Sequence, residues 1–343
     1  MALSNSFSFS VTATDVIREA CLNIGAIGES EVPTAQEFTD CLRKLNLLVK
    51  QWMGSQDFAP GLKMWERSRG DLFLSSSKGV YQLGPTGDNF AASVATSNDP
   101  SVTFNTNKLS QTAASGATLL YFSSVSNFTL GDFLVLQLDS GDIYSSTVGA
   151  INSGSGYVAL GNSNTLPSQA SSSAYVWNYS QKGQRPLGIV TCSLRDSANN
   201  DIPMNLMTLQ DYELLPTKSS PQYLQDPTAW YYESQIGSQL NSPVITGPGM
   251  IYLDCGGAQD VTKHLHMVWI RPVMDFVNPG DNPEYPQAWY RALCWGLSRE
   301  ICAMFDGEWT RDMDSNLTDS LAMARQADAD TTSIYFETDS YSP

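Results

Sequence analysis

The stretch DVIREACLNIGAIGESEVPTAQEFTDCLRKLNLLVKQWMGS, residues 15–55, carries two helical patterns in succession. In the first, read over residues 12–25, Val16, Ile17, Ala20, Cys21 and Ile24 form one apolar stripe, and Gly25 is a stop signal. In the second, over about 34–54, Phe38, Leu42, Leu45, Leu48, Val49 and Trp52 recur at helical spacing until Gly54. Thr34 and Glu37 make a T-x-x-E capping box at its start. The Glu29–Pro33 link is short, so antiparallel neighbouring helices are expected.

Helical patterning returns only near the other end. In PEYPQAWYRALCWGLSREICAMFDGEW, residues 283–309, the side chains of Trp289, Leu293, Leu297, Ile301 and Met304 share one face. A further short helix is expected from Asn316 to Gln326. The last residues, DADTTSIYFETDSYSP, have no helical stripe and read as an extended, acidic and aromatic tail.

Between the helical ends the period changes to two. DLFL (71–74) and GVYQLG (79–84) read as strands, and then the composition shifts. Residues 86–181 are dominated by Ser, Thr, Asn, Gly and Ala, with Lys108 as their one basic residue against five acids. Apolar alternation persists there, as in Phe133, Val135 and Gln137 or Tyr175 and Trp177, with Gly131-Asp132 and Ser140-Gly141-Asp142 as turn signals. This reads as a small inserted all-β module, with Gly84-Pro85 and Lys182-Gly183 as hinge-like flanks. LGIVTCSLRD, DIPMNLMTL, GMIYLDC and HLHMVWIRPV then read as strands of a second β region, and SPQYLQDPTAWYYESQ (220–235) as a structured loop.

The expected fold class is α+β: N- and C-terminal helices forming a helical body, with a β region and an inserted small all-β module. The expected divisions are 1–85 (helical pair and first strands), 86–181 (insert), 182–275 (β region), 276–328 (C-terminal helices) and 329–343 (tail). A length of 343 residues accommodates about two domains. Nineteen Lys and Arg against 35 Asp and Glu give a net charge of −16, which argues against an electrostatic nucleic-acid binder or an anionic membrane surface. No apolar run approaches the ~18 residues of a membrane span, and MALSNSFSFS has no basic-then-apolar leader pattern.

Candidate chemistry is sparse. Cys21, Cys41, Cys192, Cys255, Cys294 and Cys302 contain no C-x-x-C pair, so free buried thiols in a reducing compartment are expected. His264 and His266 would share a strand face, but Asp260 is the one nearby acidic ligand, so a metal site is not expected. Asp132, Asp139 and Asp142 sit beside turn glycines or serines and are assigned to turns rather than to acid–base work or calcium. No phosphate-loop, dinucleotide or nucleophile-elbow signature occurs. Trp289, Tyr290, Trp295 and Trp309 are assigned to helix core and subunit contacts rather than ligand stacking. The expectation is a non-enzyme with no catalytic, metal or cofactor-binding residues and no cofactor. The tail aromatics Tyr335, Phe336 and Tyr341, with Ile334, have no local core and call for a partner surface.

The order of these parts resembles the head-to-tail adaptor (connector, tail tubular protein A-like, DNA-stabilisation) proteins of short-tailed bacteriophages. The resemblance is carried by residues 15–55, by RPLGIVTCSLRDSANNDIPMNLMTLQDYELLPTK (185–218) and by EYPQAWYRALCWGLSREICAMFDGEW (284–309), about two thirds of the chain. It rests on their order, since none is a chemical motif. The insert, clearest in GDFLVLQLDSGDIYSSTV (131–148), is similar to a module of phage structural proteins and departs from the shorter adaptors. The resemblance implies a homo-oligomeric, dodecameric ring beneath the portal protein, with the tail nozzle protein docked on its far side. It also implies a virion location after assembly in the host cytoplasm, and double-stranded DNA passing through the channel without specific binding. Ile334, Tyr335, Phe336 and Tyr341 would be the portal-docking residues, and the insert a site for tail fibres or spikes. Two other readings compete: a receptor- or carbohydrate-binding tail component, suggested by the insert, and a tail-borne cell-wall hydrolase, disfavoured by the missing motifs.

Overall fold

A computed structural model describes residues 9–54, 65–92, 102–216, 218, 224–234 and 249–327. The protein is a mixed, β-rich α+β chain that divides into two compact units: residues 1–65 with 272–343, and residues 66–271.

The first unit is helical. Helix α1 (Ala13–Asn23) opens with a capping box in which the Thr12 N–H donates to Asp15 and the Asp15 N–H donates to the Thr12 hydroxyl. It stops where Gly25 takes φ +69°, a left-handed turn that glycine adopts without strain. Helix α2 (Ala35–Gly54) starts at the expected box, with the Thr34 N–H donating to Glu37 at 2.8 Å. A short α3 (Leu209–Glu213) belongs to the second unit. Helix α4 (Tyr290–Cys302) follows a 3-10 turn at Gln287–Trp289 and packs against α1, α2 and α5 (Arg311–Ala327). Val16, Ile17, Leu45, Leu48, Val49, Trp289, Leu293, Leu297 and Ile301 are all buried in one core. Met304, expected on that face, lies past the end of α4 and is exposed. Helix α5 starts five residues earlier than the sequence suggests. Its first turn has no apolar stripe, but Thr310 caps it and Asp312 and Asp314 complement the helix dipole.

The described residues of the second unit form three sheets. The five-stranded sheet has the order β11 (Asp201–Pro203), β10 (Gly188–Arg195), β15 (His264–Pro272), β1 (Trp65–Phe73), β3 (Phe90–Ala92). The four-stranded sheet runs β12 (Asn205–Leu206), β13 (Ala229–Glu233), β14 (Gly249–Leu253), β2 (Val80–Leu83). Leu72, Leu194, Leu265, Met267 and Trp269 of the first sheet and Tyr81, Leu83, Trp230, Ile251 and Leu253 of the second share one core. At Gly70 the backbone passes so close to its neighbours that a Cβ would lie 2.8 Å from the Trp269 ring.

The stretch read as a loop, 220–235, contains β13. Trp230 and Tyr232 point to the shared core, while Tyr231 pairs with Tyr252 on the other face. Both faces of β13 are aromatic, so no apolar–polar alternation marks it as a strand. DIPMNLMTL is divided: β11 closes one sheet, and the chain passes at Met204 into β12 of the other.

The six-stranded sheet is drawn entirely from within residues 104–179, in the order β4 (Phe104–Lys108), β9 (Tyr175–Tyr179), β6 (Phe133–Gln137), β7 (Ile143–Asn152), β8 (Tyr157–Leu160), β5 (Leu119–Tyr121). A Leu109–Phe122 bridge joins its first and last strands, so the sheet closes around Leu120, Leu134, Leu136, Val148, Val158 and Val176. The compositional change at residue 86 falls short of this module, because β3 pairs with β1. Of the flanks read as hinges, Lys182-Gly183 is pinned. Ala92 N–H donates to the Gln181 carbonyl at 3.1 Å, Gly183 N–H to Phe90 at 2.8 Å, and Lys182 Nζ to the Gly87 carbonyl at 2.7 Å. Phe73 of β1 is buried with Val135, Trp177 and Tyr179 of the closed sheet.

Candidate assembly surface

Helix α2 carries two stripes. Cys41, Leu45, Leu48, Val49 and Trp52 enter the helical core. Thr39, Leu42, Arg43, Asn46, Leu47 and Lys50, at the same helical period, line one wall of an open groove of about 530 Å³. Asp275, Phe276 and Val277 line the opposite wall.

That second wall is held by side chains. Asn46 donates through Nδ2 to the Phe276 carbonyl and accepts the Phe276 N–H through Oδ1, both at 2.9 Å. Lys50 Nζ reaches the Val273 carbonyl at 3.3 Å and pairs with Asp275 at 2.5 Å. Asp281 accepts the Val277 and Asn278 N–H groups at 2.7 Å each. Backbone hydrogen bonding to its carboxylate holds the Asp281 pKa below the usual carboxylate value. Phe276 plugs into the helical core. The groove is therefore preorganised, yet Leu47 is 59% exposed and Val277 72% exposed, with Met274 beside them also exposed. Apolar area of this kind on a fixed scaffold is what an assembling protein presents to a partner. A second exposed apolar run, Ile202, Leu206, Leu209 and Leu214, follows β11, β12 and α3 in the other unit.

In the β unit, His264 and His266 do share a strand face, and both meet Asp71 of β1. His266 Nδ1 lies 2.8 Å and His264 Nε2 3.4 Å from the same Asp71 oxygen. All three side chains are largely buried. Burial alone would raise the Asp71 pKa. The two histidine contacts overcome it and hold the pKa at about 2. His264 Nδ1 is buried without a hydrogen-bond partner among the described residues. Asp260, the acidic residue nearest to the histidines in sequence, instead accepts from the Thr262 N–H at 3.0 Å and the Thr262 hydroxyl at 2.6 Å. Asp71 lies some 190 positions upstream, and the one signal for it was a carboxylate at the head of the strand-like DLFL. Among the described residues no group of three or more His, Cys, Asp or Glu is disposed to hold a metal ion.

The insert carboxylates take turn positions. Asp132 accepts from Thr129 N–H at 3.0 Å and buried Asn178 at 2.9 Å. Asp139 accepts from the Ser171 hydroxyl and N–H, each at 2.8 Å, and from Gln169, bonds that lower its pKa. Asp142 accepts from the Ser75 hydroxyl at 2.7 Å and so ties the module to β1's sheet. Trp289 is core, with its ring 6.4 Å from Trp52; Tyr290 meets Phe9 at 6.2 Å, and Trp295 and Trp309 are half-buried. The six cysteines are free, and Cys294 is the one that is not fully buried. Ile334, Tyr335, Phe336 and Tyr341 lie outside the described residues. No described helix is long and apolar enough to cross a membrane.

No protein-family model matches the chain, and no curated protein matches it. Among solved structures, VP17, a capsid protein of bacteriophage P23-77, aligns over 60% of this chain and 80% of its own at 10% identity, with a TM-score of 0.12. That score is far below the level of a shared fold.

Proposed function

We propose that this protein is a structural component of a bacteriophage virion, the head-to-tail adaptor whose ring joins the portal to the tail nozzle and continues the DNA channel. One observation carries the reading. The terminal segments that resemble adaptors, 15–55 and 284–309, are separated by more than 200 residues of mostly β chain, yet α4 packs directly against α1 and α2. A joint helical core of the two terminal segments supports a likeness that rests on the order of its parts.

In this reading the ring is dodecameric, the tail residues Ile334, Tyr335, Phe336 and Tyr341 engage the portal, and the closed β module is the attachment point for fibres or spikes. The net charge of −16 suits a channel wall that lets double-stranded DNA slide without binding it. The protein acts in the neck of the virion after assembly in the host cytoplasm, catalyses no reaction and needs no cofactor. Gradient co-sedimentation with purified portal rings tests the assignment. Co-migration is expected, and a chain that stays at the position of the free monomer contradicts it.

A further inference from the structure

We propose that the closed β module carries a binding site for a neutral pyranose sugar, one unit of an uncharged glycan, in the cup formed by its 111–121 loop.

Three observations support the site. The first is a fixed shape. Between β4 and β5 the chain makes a loop whose ends are tied together: Leu109 bridges Phe122, and the Ser110 N–H donates to the Tyr121 carbonyl at 2.9 Å. Surface loops closed in this way are compact and frequently functional. This one is also pinned to the 166–172 segment. Ala113 and Ala170 exchange hydrogen bonds at 2.9 Å, the Gly116 N–H donates to the Leu166 carbonyl at 2.8 Å, and the Ser172 N–H donates to the Thr112 hydroxyl at 3.2 Å. The loop lines an open cup of about 320 Å³, at the small end of ligand sites.

The second is the chemistry of the lining. Gln111, Thr112, Thr118 and Tyr121 bring one amide, two aliphatic hydroxyls and a phenol to the cup. Among the described residues Gln111, Thr118 and Tyr121 make no side-chain hydrogen bond, and Thr112 keeps its own O–H to donate. The Tyr121 ring is steadied by Tyr157, 5.9 Å away at 68°. A pyranose offers hydroxyls to such donors and acceptors and a C–H face to an aromatic ring.

The third is charge. No charged side chain lines the cup. The charged residues of 104–179 are Lys108, Asp132, Asp139 and Asp142, and they are engaged elsewhere: Lys108 lies over the Tyr175 ring, and the three aspartates accept hydrogen bonds in turns. An anionic or cationic ligand would find no counter-charge here, and an apolar one would leave the polar lining unpaired. A neutral polyol ring fits both constraints.

The test uses the full chain without portal, so its outcome is independent of the adaptor reading. Maltopentaose, cellopentaose, a galactopentaose and chitopentaose serve as neutral probes and sialyllactose as the anionic one, followed by saturation-transfer NMR and titration. At least one neutral probe is expected to bind with a Kd of about 1 mM, as suits a shallow site, and more tightly than sialyllactose. Tyr121→Ala is expected to weaken binding about tenfold, while Tyr121→Phe retains most of it. Ala114→Trp, a bulky change at an exposed position of the lining, is expected to abolish binding with circular dichroism unchanged. No binding of any neutral probe at about 10 mM, a preference for sialyllactose, or binding that survives both Tyr121→Ala and Ala114→Trp would each overturn the proposal.

Discussion

Gly296 of α4 lies directly under the indole of Trp52 on α2: a Cβ at position 296 would sit 2.7 Å from Trp52 Cζ2 and 3.1 Å from Leu48 Cδ2. Two of the three segments that carry the adaptor resemblance therefore meet at a point where one carries no side chain. Alanine normally gains up to about 1 kcal/mol over glycine in a helix interior. Here overpacking outweighs that gain, and Gly296→Ala is expected to destabilise the helical unit by about 1–2 kcal/mol. Urea denaturation followed by helical ellipticity measures it, and an unchanged or raised midpoint would mean that α2 and α4 do not approach this closely.

The carboxylate of Asp71 titrates at about 2 in the folded chain, below the ~3.9 of an unfolded aspartate. The folded state therefore binds fewer protons than the unfolded state between these values. The stabilisation is fully present above pH ~4 and is lost as pH falls toward 2. Asp71→Asn is expected to cost about 2 kcal/mol near neutrality, with the difference from the parent chain shrinking across that window. Parallel denaturation curves at stepped pH would read it; a difference that does not change with pH would show that the histidine contacts do not hold the charge.

Excision of the closed β module is expected to succeed at different ends from those suggested by composition. Removing 86–181 takes away β3 and exposes an edge of β1. Removing 93–180 instead leaves Ala92 and Gln181, already hydrogen-bonded at 3.1 Å, to be joined by an Asn-Gly turn. The shorter excision should keep the helical ellipticity and portal binding, with some loss of stability from uncovering Phe73. Failure of this chain to fold while the 86–181 deletion folds would reverse the assignment of β3.

How far the sequence disclosed this fold depended on whether a residue's partners were local. The capping box at Thr34 and the stripes of α1 and α2 depend on residues three or four positions apart and are where that spacing puts them, as is the stripe of α4 up to Ile301; the box at Thr12 was not read from the sequence. Strand β13 was hidden because Trp230 and Tyr231 face opposite sides and are both aromatic. The Asp71–His266 contact was hidden because its register is set by β1 lying beside β15, a pairing across 195 positions. The groove on α2 was legible only in part: Leu47 and Lys50 are in the sequence of the helix, but the opposing wall at 275–277 comes from the far end of the chain. The tail residues named from the sequence fall outside the described part of the structure.

Truncation after Asp328 is expected to leave a folded, monomeric chain with unchanged ellipticity that no longer joins portal rings, because Ile334, Tyr335, Phe336 and Tyr341 are lost together. Assembly of the truncated chain at full yield would move the portal contact to the helical unit.

The most direct test of the adaptor assignment is an electron micrograph of the full chain mixed with its purified portal. The expected image is a second ring of twelvefold symmetry stacked coaxially on the portal, with one copy of this chain per subunit position and an open central channel. Portal rings that remain bare at saturating concentrations of the folded chain would contradict the assignment outright.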